Sequence, residues 1–150
     1  MAKQVMDRKA SDNKYLHKDF HVTLDIGIDY IGKHYGEDAV KEYLIRFADA
    51  YYRPMSLSEL EAYFLHIYAE EERPEVLKTS RENGVLTVEI SECPAMSFMR
   101  SIGHEPSEWY KYTTSVLYAE IARICGMTFE LVRFDEKTGA AILKFGGEDQ

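Results

Sequence analysis

Cys93 stands in the run Glu92-Cys93-Pro94-Ala95, where an alternating apolar segment stops. A thiol at a strand end can face a cleft, and the proline beside it fixes the local backbone, so these residue types suit a nucleophile or a ligand contact. An inert core thiol satisfies the same pattern, because free cysteine is among the most buried residue types. His104, in Gly103-His104-Glu105-Pro106, follows on the same connection. Its imidazole titrates near neutral pH, which makes thiol and imidazole a candidate catalytic pair; the alternative is a surface loop histidine. Arg100 lies between them and could grip a substrate carboxylate with its planar fork, or pair with a surface acid. Cys125, one residue before Gly126, falls at a helix margin and is the weaker thiol candidate.

His17 and His21 are four residues apart, so a helix would place both within reach of one metal ion. The spacing supplies half a site: Lys18 and Asp19 follow His17 where H-E-x-x-H needs a glutamate, and no third ligand is fixed. Rim histidines bridging core and solvent are the plainer reading, and neither a metal nor a cofactor is implied. His66 lies off its helix's apolar stripe and should face solvent. Aromatic residues are abundant, with 11 Tyr, 7 Phe and the single Trp109. Rings with polar tips, Trp109 and Tyr110 foremost, can line a small-molecule pocket or simply fill a core. Glu70 to Glu72 reads as a solvated helix end, since the glycine and alternating oxygen ligands of a calcium loop are missing.

The elements that must position these groups follow from periodicity. Leu16, Phe20, Leu24, Ile28, Ile31 and Tyr35 recur at helical spacing and predict a first helix over 15–35 with that stripe inward, ended by Gly36. A second helix carries Val40, Tyr43, Leu44, Phe47 and Tyr51 and closes at Pro54; Ser56-Leu-Ser-Glu59 has the spacing of a capping box for a third. The period then changes to two. Residues 76–81 and 85–91 flank Asn83-Gly84, the strongest short-range hairpin signal, and Pro94 should break the second strand or leave it at an edge. Residues 95–103 are open between helix and loop. Pro106 and Ser107 are expected to open a long helix stopped by Gly126, and a second hairpin over 129–145 turns at 135–139. The sum is a single α+β domain over 15–147, a four-stranded antiparallel sheet from two hairpins with about four packed helices, preceded by a flexible segment over 1–14.

Composition narrows the function. The chain has 150 residues, of which 45% are apolar and 29% charged, with 26 acidic against 18 basic side chains and a net charge of −8. That field repels polyphosphate, so nucleic acid is not an expected partner, and no glycine-rich phosphate loop is present. No apolar run is long enough for a membrane helix and no signal core opens the chain, so a cytoplasmic protein is expected, with reduced thiols.

The run Val88-Glu-Ile-Ser-Glu-Cys-Pro-Ala95, the helix end Ala119-Glu-Ile-Ala-Arg-Ile-Cys-Gly126 and the closing hairpin over 129–145 resemble the L-2-amino-thiazoline-4-carboxylic acid hydrolase family. The order of elements is also similar to ligand-binding domains of the bacteriochlorophyll vinyl-reductase type. The resemblance implies hydrolytic opening of a small cyclic amidine to an N-carbamoyl amino acid. The roles it requires would fall to Cys93 or a water held by His104 as nucleophile, His104 or a tyrosine as proton donor, and Arg100 as carboxylate anchor. A noncatalytic small-molecule sensor using the same pocket is the alternative, and an interaction subunit that forms a homodimer through its helices is a third reading.

Overall fold

The structure is a computed structural model and describes residues 14–147, with the side chains of residues 14–17 and 19 left outside the description. The expected flexible segment therefore falls almost wholly outside the described residues. The chain runs α1 (Lys14–Tyr35), α2 (Glu37–Tyr51), α3 (Leu57–Glu70), a 3-10 turn (Pro74–Val76), β1 (Leu77–Glu82), β2 (Val85–Ile90), α4 (Pro94–Ser101), α5 (Tyr112–Ile124), β3 (Thr128–Phe134) and β4 (Ala141–Gly146). This is an α+β fold, with five α-helices among the described residues and one four-stranded antiparallel sheet.

Local chemistry accounts for the breaks. Gly36 separates α1 from α2 at a φ of 93°, and Glu37 and Asp38 then occupy the positive end of α2. The Ser56 hydroxyl accepts the Glu59 N–H and caps α3. Asn83 and Gly84 both take positive φ, which gives the two-residue turn that matches strand twist.

The sheet order is β1-β2-β4-β3, so the two hairpins join through their second strands. Leu86 faces Phe145 and Val88 faces Leu143, and both pairs lie on the buried side, while Thr87, Glu89 and Lys144 point outward. β2 is thus a central strand and Pro94 marks no edge. The strand stops at Ile90, and Pro94 takes the first position of α4, where its missing N–H costs no hydrogen bond.

Two cores result. Leu57, Leu60 and Phe64 of α3 pack with Ile121 of α5 against the sheet; Ile28, Val40, Leu44 and Met99 pack where α1, α2 and α4 meet. α5 serves both, with Leu117 and Tyr118 toward the first and Tyr112 and Val116 toward the second.

Two expectations need correction, and one open alternative is decided. The helix expected to open at Pro106-Ser107 starts at Tyr112, because the Ser107 N–H and hydroxyl are both spent on Asp25 and hold the segment as turns. The stripe of α1 is rotated: Asp25 and Ile28 are buried, whereas Phe20 and Tyr35 are exposed. Residues 94–101 form a helix, so the region left open between helix and loop is mostly ordered as α4.

The turn of the second hairpin locks onto α4. Cys93 N–H donates to the Thr138 carbonyl at 2.9 Å, and Gly139, at a φ of 73°, lies so close to Cys93 and Met96 that a Cβ would overlap both. Gly139→Ala should therefore cost about 2–4 kcal/mol, left-handed strain plus overpacking. Gly103→Ala, with φ of 83° but open space around it, should cost only about 1–2 kcal/mol. Urea midpoints of the two variants compare these directly, and equal losses would show that the turn does not press on α4.

Candidate functional site

The inward face of α1 carries His21 and Asp25, one helical turn apart. Asp25 is 1% exposed, and a carboxylate so placed is stable only if its oxygens are occupied. They are. Its Oδ2 accepts from His104 Nε2 at 2.7 Å, its Oδ1 accepts the Ser107 hydroxyl at 2.8 Å, and both oxygens share the Ser107 N–H at 3.0–3.1 Å. The loop that carries His104 leaves α4 through a hydrogen bond from His104 N–H to the Met99 carbonyl, which also ends that helix. His21 makes the companion pair, with its Nε2 2.5 Å from the buried Glu71 carboxylate at the end of α3.

Arg100 is at the same end of α4 as His104. Its guanidinium donates to both carboxylate oxygens of Glu105 at 3.0–3.2 Å and also to the Lys137 carbonyl in the hairpin turn. Trp109 packs its ring across Gly32 of α1, where any side chain would collide with it, and its Nε1 is buried without a partner. Tyr110 is buried in the second core.

Cys93 caps the other end of α4. Eight residues of helix rise about 12 Å, so the thiol and His104 flank α4 at opposite ends. The imidazole is bonded to Asp25, and no thiol–imidazole hydrogen bond occurs among the described residues. Burial pushes the Cys93 thiol above its ordinary value, outweighing the Ala95 and Met96 N–H groups that favour the thiolate, and Glu71 and Glu92 push the same way. The residue is half-buried nonetheless. Cys125 is raised too, again by burial, and accepts the Met55 N–H at 3.3 Å.

The structure therefore brings His104 and Arg100 together at one end of α4, with Trp109 on the following turn, and Cys93 near Tyr110 at the other. Tyr110 links the two zones electrostatically: burial raises its phenol first, and Cys93, Asp25 and Glu71 all add to the effect. His66 is exposed as expected. The His17 side chain lies outside the described residues, and among the described residues no group of three His, Cys, Asp or Glu side chains could hold a metal ion. No helix in the described chain is long and apolar enough to cross a membrane.

Two open hollows of about 630 and 460 Å³ lie elsewhere, on the outer face of the sheet. Neither contains the residues above. The first is walled mostly by polar and charged side chains, with Glu130 and Lys144 in facing register, and the second sets the facing pair Lys78 and Glu89 among Val76, Leu77, Ile90 and Ile142.

No family model, curated protein or solved structure matches the chain.

Sequence reasoning passed over Asp25, read Ser107 as a helix start, and took Glu71 for part of a solvated helix end, whereas Glu71 is buried and paired with His21. Asp25 left a trace: it lies within the apolar stripe of α1, between Leu24 and Ile28, where a solvated carboxylate is out of place.

Cys93, Tyr68, Tyr110 and Tyr118 are all raised, chiefly by burial, so the folded protein keeps protons that the unfolded chain would release. Bound protons then favour the native state, and stability falls as pH rises. The contribution of these groups should be level below the ordinary thiol value of 9.0 and decline above it, by up to about 1.4 kcal/mol per pH unit for each group, and more steeply past 10 as phenols join. Cys93→Ala should reduce the slope between pH 9 and 10 in a series of urea midpoints, with Cys125, raised as well, supplying what remains. An unchanged slope would mean that solvent already relieves the thiol.

Proposed function

We propose that the protein is a hydrolase that opens a small cyclic amidine such as 2-aminothiazoline-4-carboxylate, with His104 as general base. The observation that supports this most is the buried Asp25 carboxylate behind a part-exposed imidazole, 2% against 30% exposed in side chain. Because Asp25 accepts from Nε2–H, the neutral ring keeps its lone pair on Nδ1. A water deprotonated there attacks the amidine carbon, forming the C–O bond as the C=N π pair moves onto the ring nitrogen, which takes the remaining hydroxyl proton as the carbonyl forms. The imidazolium returns the proton to the ring sulfur as the C–S bond breaks, leaving an N-carbamoyl amino acid with a free thiol. Water is the one reagent consumed.

Arg100, on the same end of α4, would exchange Glu105 for the substrate carboxylate, and Trp109 would supply a ring wall, while Tyr110, buried beside Cys93, would stay out of contact. In this reading Cys93 is not the nucleophile, since burial keeps its thiol protonated. The run Val88 to Ala95 and its resemblance to the hydrolase family are the second support. A noncatalytic small-molecule-binding domain is the competing reading, and one observation favours it: the Arg100 guanidinium is already satisfied by Glu105 and the Lys137 carbonyl.

Turnover of 2-aminothiazoline-4-carboxylate, followed by the thiol it releases, decides between them. His104→Gln, whose amide can still donate to Asp25, should lower kcat by about 10²–10⁴ while the protein remains folded, the range expected for loss of a general base. Cys93→Ala should stay within a few fold of the parent. Absence of turnover in the parent protein, or loss through Cys93 and not His104, sinks the assignment.

A further inference from the structure

The outward face of α1 is left bare by the other described elements. Of the nine large apolar side chains exposed among the described residues, four belong to this helix, Phe20, Ile26, Tyr30 and Tyr35, each about half exposed or more. Along the same face Phe20, Thr23, Gly27, Tyr30 and His34 are all exposed and repeat at alternating spacings of three and four. That is the seam spacing of two helices packed along each other. The opposite face, with Asp25, Ile28 and Gly32, is turned to the chain's own interior. Gly27 is the second observation. Glycine inside a helix is unfavourable relative to alanine, so it is kept where a side chain would be in the way. Gly32 shows this within the chain, since a Cβ there would strike the Trp109 ring. A Cβ on Gly27 would meet nothing within 4 Å. No described part of the chain needs that bare backbone.

We propose that this face docks a second copy of the chain, the two α1 helices crossing antiparallel at Gly27 about a twofold axis. It does not rest on the Asp25–His104 pair, which occupies the other side of the helix. The seam is its own complement. Its positions lie nearly symmetrically about Ile26 and Gly27, so Thr23 of one copy meets Tyr30 of the other, and Phe20 meets the turn of Lys33 and His34. Tyr30 is already stacked on His34, with centroids 4.0 Å apart, and Phe20 on Phe47 at 6.3 Å, so little ordering is left to do on association. Parallel packing would instead set the basic last turn, Lys33 and His34, beside its own copy. Antiparallel packing also opposes the helix dipoles. The exposed parts of Phe20, Ile26, Tyr30 and Tyr35 come to roughly 450 Å² a copy, so with the polar residues between them a pair buries on the order of 1,000 Å², the lower limit of a specific interface. A dimer that dissociates in the micromolar range follows.

Sedimentation of the full-length chain tests this. The parent should associate reversibly to a dimer, and Gly27→Gln, which plants a side chain at the crossing, should weaken it at least about tenfold. The diluted Gly27→Gln monomer should be at least as heat-stable as the parent, because glutamine favours a helix more than glycine does. A glycine kept for the chain's own packing would show the reverse. Tyr30→Glu should weaken the dimer as strongly, and Val132→Thr, on the outer strand β3, should leave it unchanged. In a Cys93→Ala, Cys125→Ala background, oxidation of mixed Thr23→Cys and Tyr30→Cys variants should join the one to the other and not Thr23→Cys to itself. A parent monomeric at millimolar concentration, a dimer indifferent to Gly27→Gln or to Tyr30→Glu, or Thr23→Cys joined to itself would each overturn the proposal. So would a monomer in which Tyr30 becomes reactive to a tyrosine reagent only after residues 1–13 are removed, which would give the face to the chain's own first residues.

Discussion

One buried carboxylate organises the second half of the molecule. Asp25 occupies the inward face of α1 and would be ruinous there without partners; three groups from the loop after α4, the His104 ring and the N–H and hydroxyl of Ser107, supply them. Satisfying that charge brings a loop some eighty residues away in sequence against α1. It also determines where α5 can begin, since a Ser107 committed to Asp25 cannot cap a helix. α5 in turn divides the interior in two, so the position of both cores traces back to a single ionised side chain.

Both cores carry polar tips among their hydrocarbon: Tyr68, Tyr63 and Tyr118 belong with Phe64 and Phe145, and Tyr110 and Cys93 with Ile28 and Leu44. Keeping such groups away from bulk water costs stability unless each finds a partner. The His21–Glu71 and Asp25–His104 pairs satisfy part of that demand. The Tyr52 and Tyr63 hydroxyls satisfy each other, and Trp109 Nε1 is the one side-chain nitrogen or oxygen among the described residues that is sealed without a partner.

Much of the fold was legible because its signals are local. Asn83-Gly84 specifies its turn through φ values that few other pairs tolerate, Ser56 and Glu59 lie three apart as a cap demands, and the alternation of Leu86, Val88 and Ile90 needs only one buried sheet face. The site was legible only in fragments. Arg100 and His104 stand close in sequence and stay close in space, but the pairing of His104 with Cys93 failed because proximity along the chain says nothing about an intervening helix. Asp25 showed only as a carboxylate out of place in an apolar stripe, and Glu71 read as part of a solvated helix end, because the partners of both come from distant segments. Phe20 and Tyr35 misled for a related reason: their spacing is helical, yet polar His21 and Asp25 claim the buried face.

The turn over 135–140 has a mechanical consequence. Hairpin loops usually tolerate insertions, since a doubled loop adds only a small closure entropy. Here the same few residues hold the Cys93 backbone through Thr138 and the Arg100 guanidinium through Lys137, so the turn is a bracket fastened to both ends of one short helix. Lengthening it would release α4 at both attachments together, and with α4 the thiol at one end and the imidazole loop at the other. The length of this turn is therefore as constrained as the composition of the core.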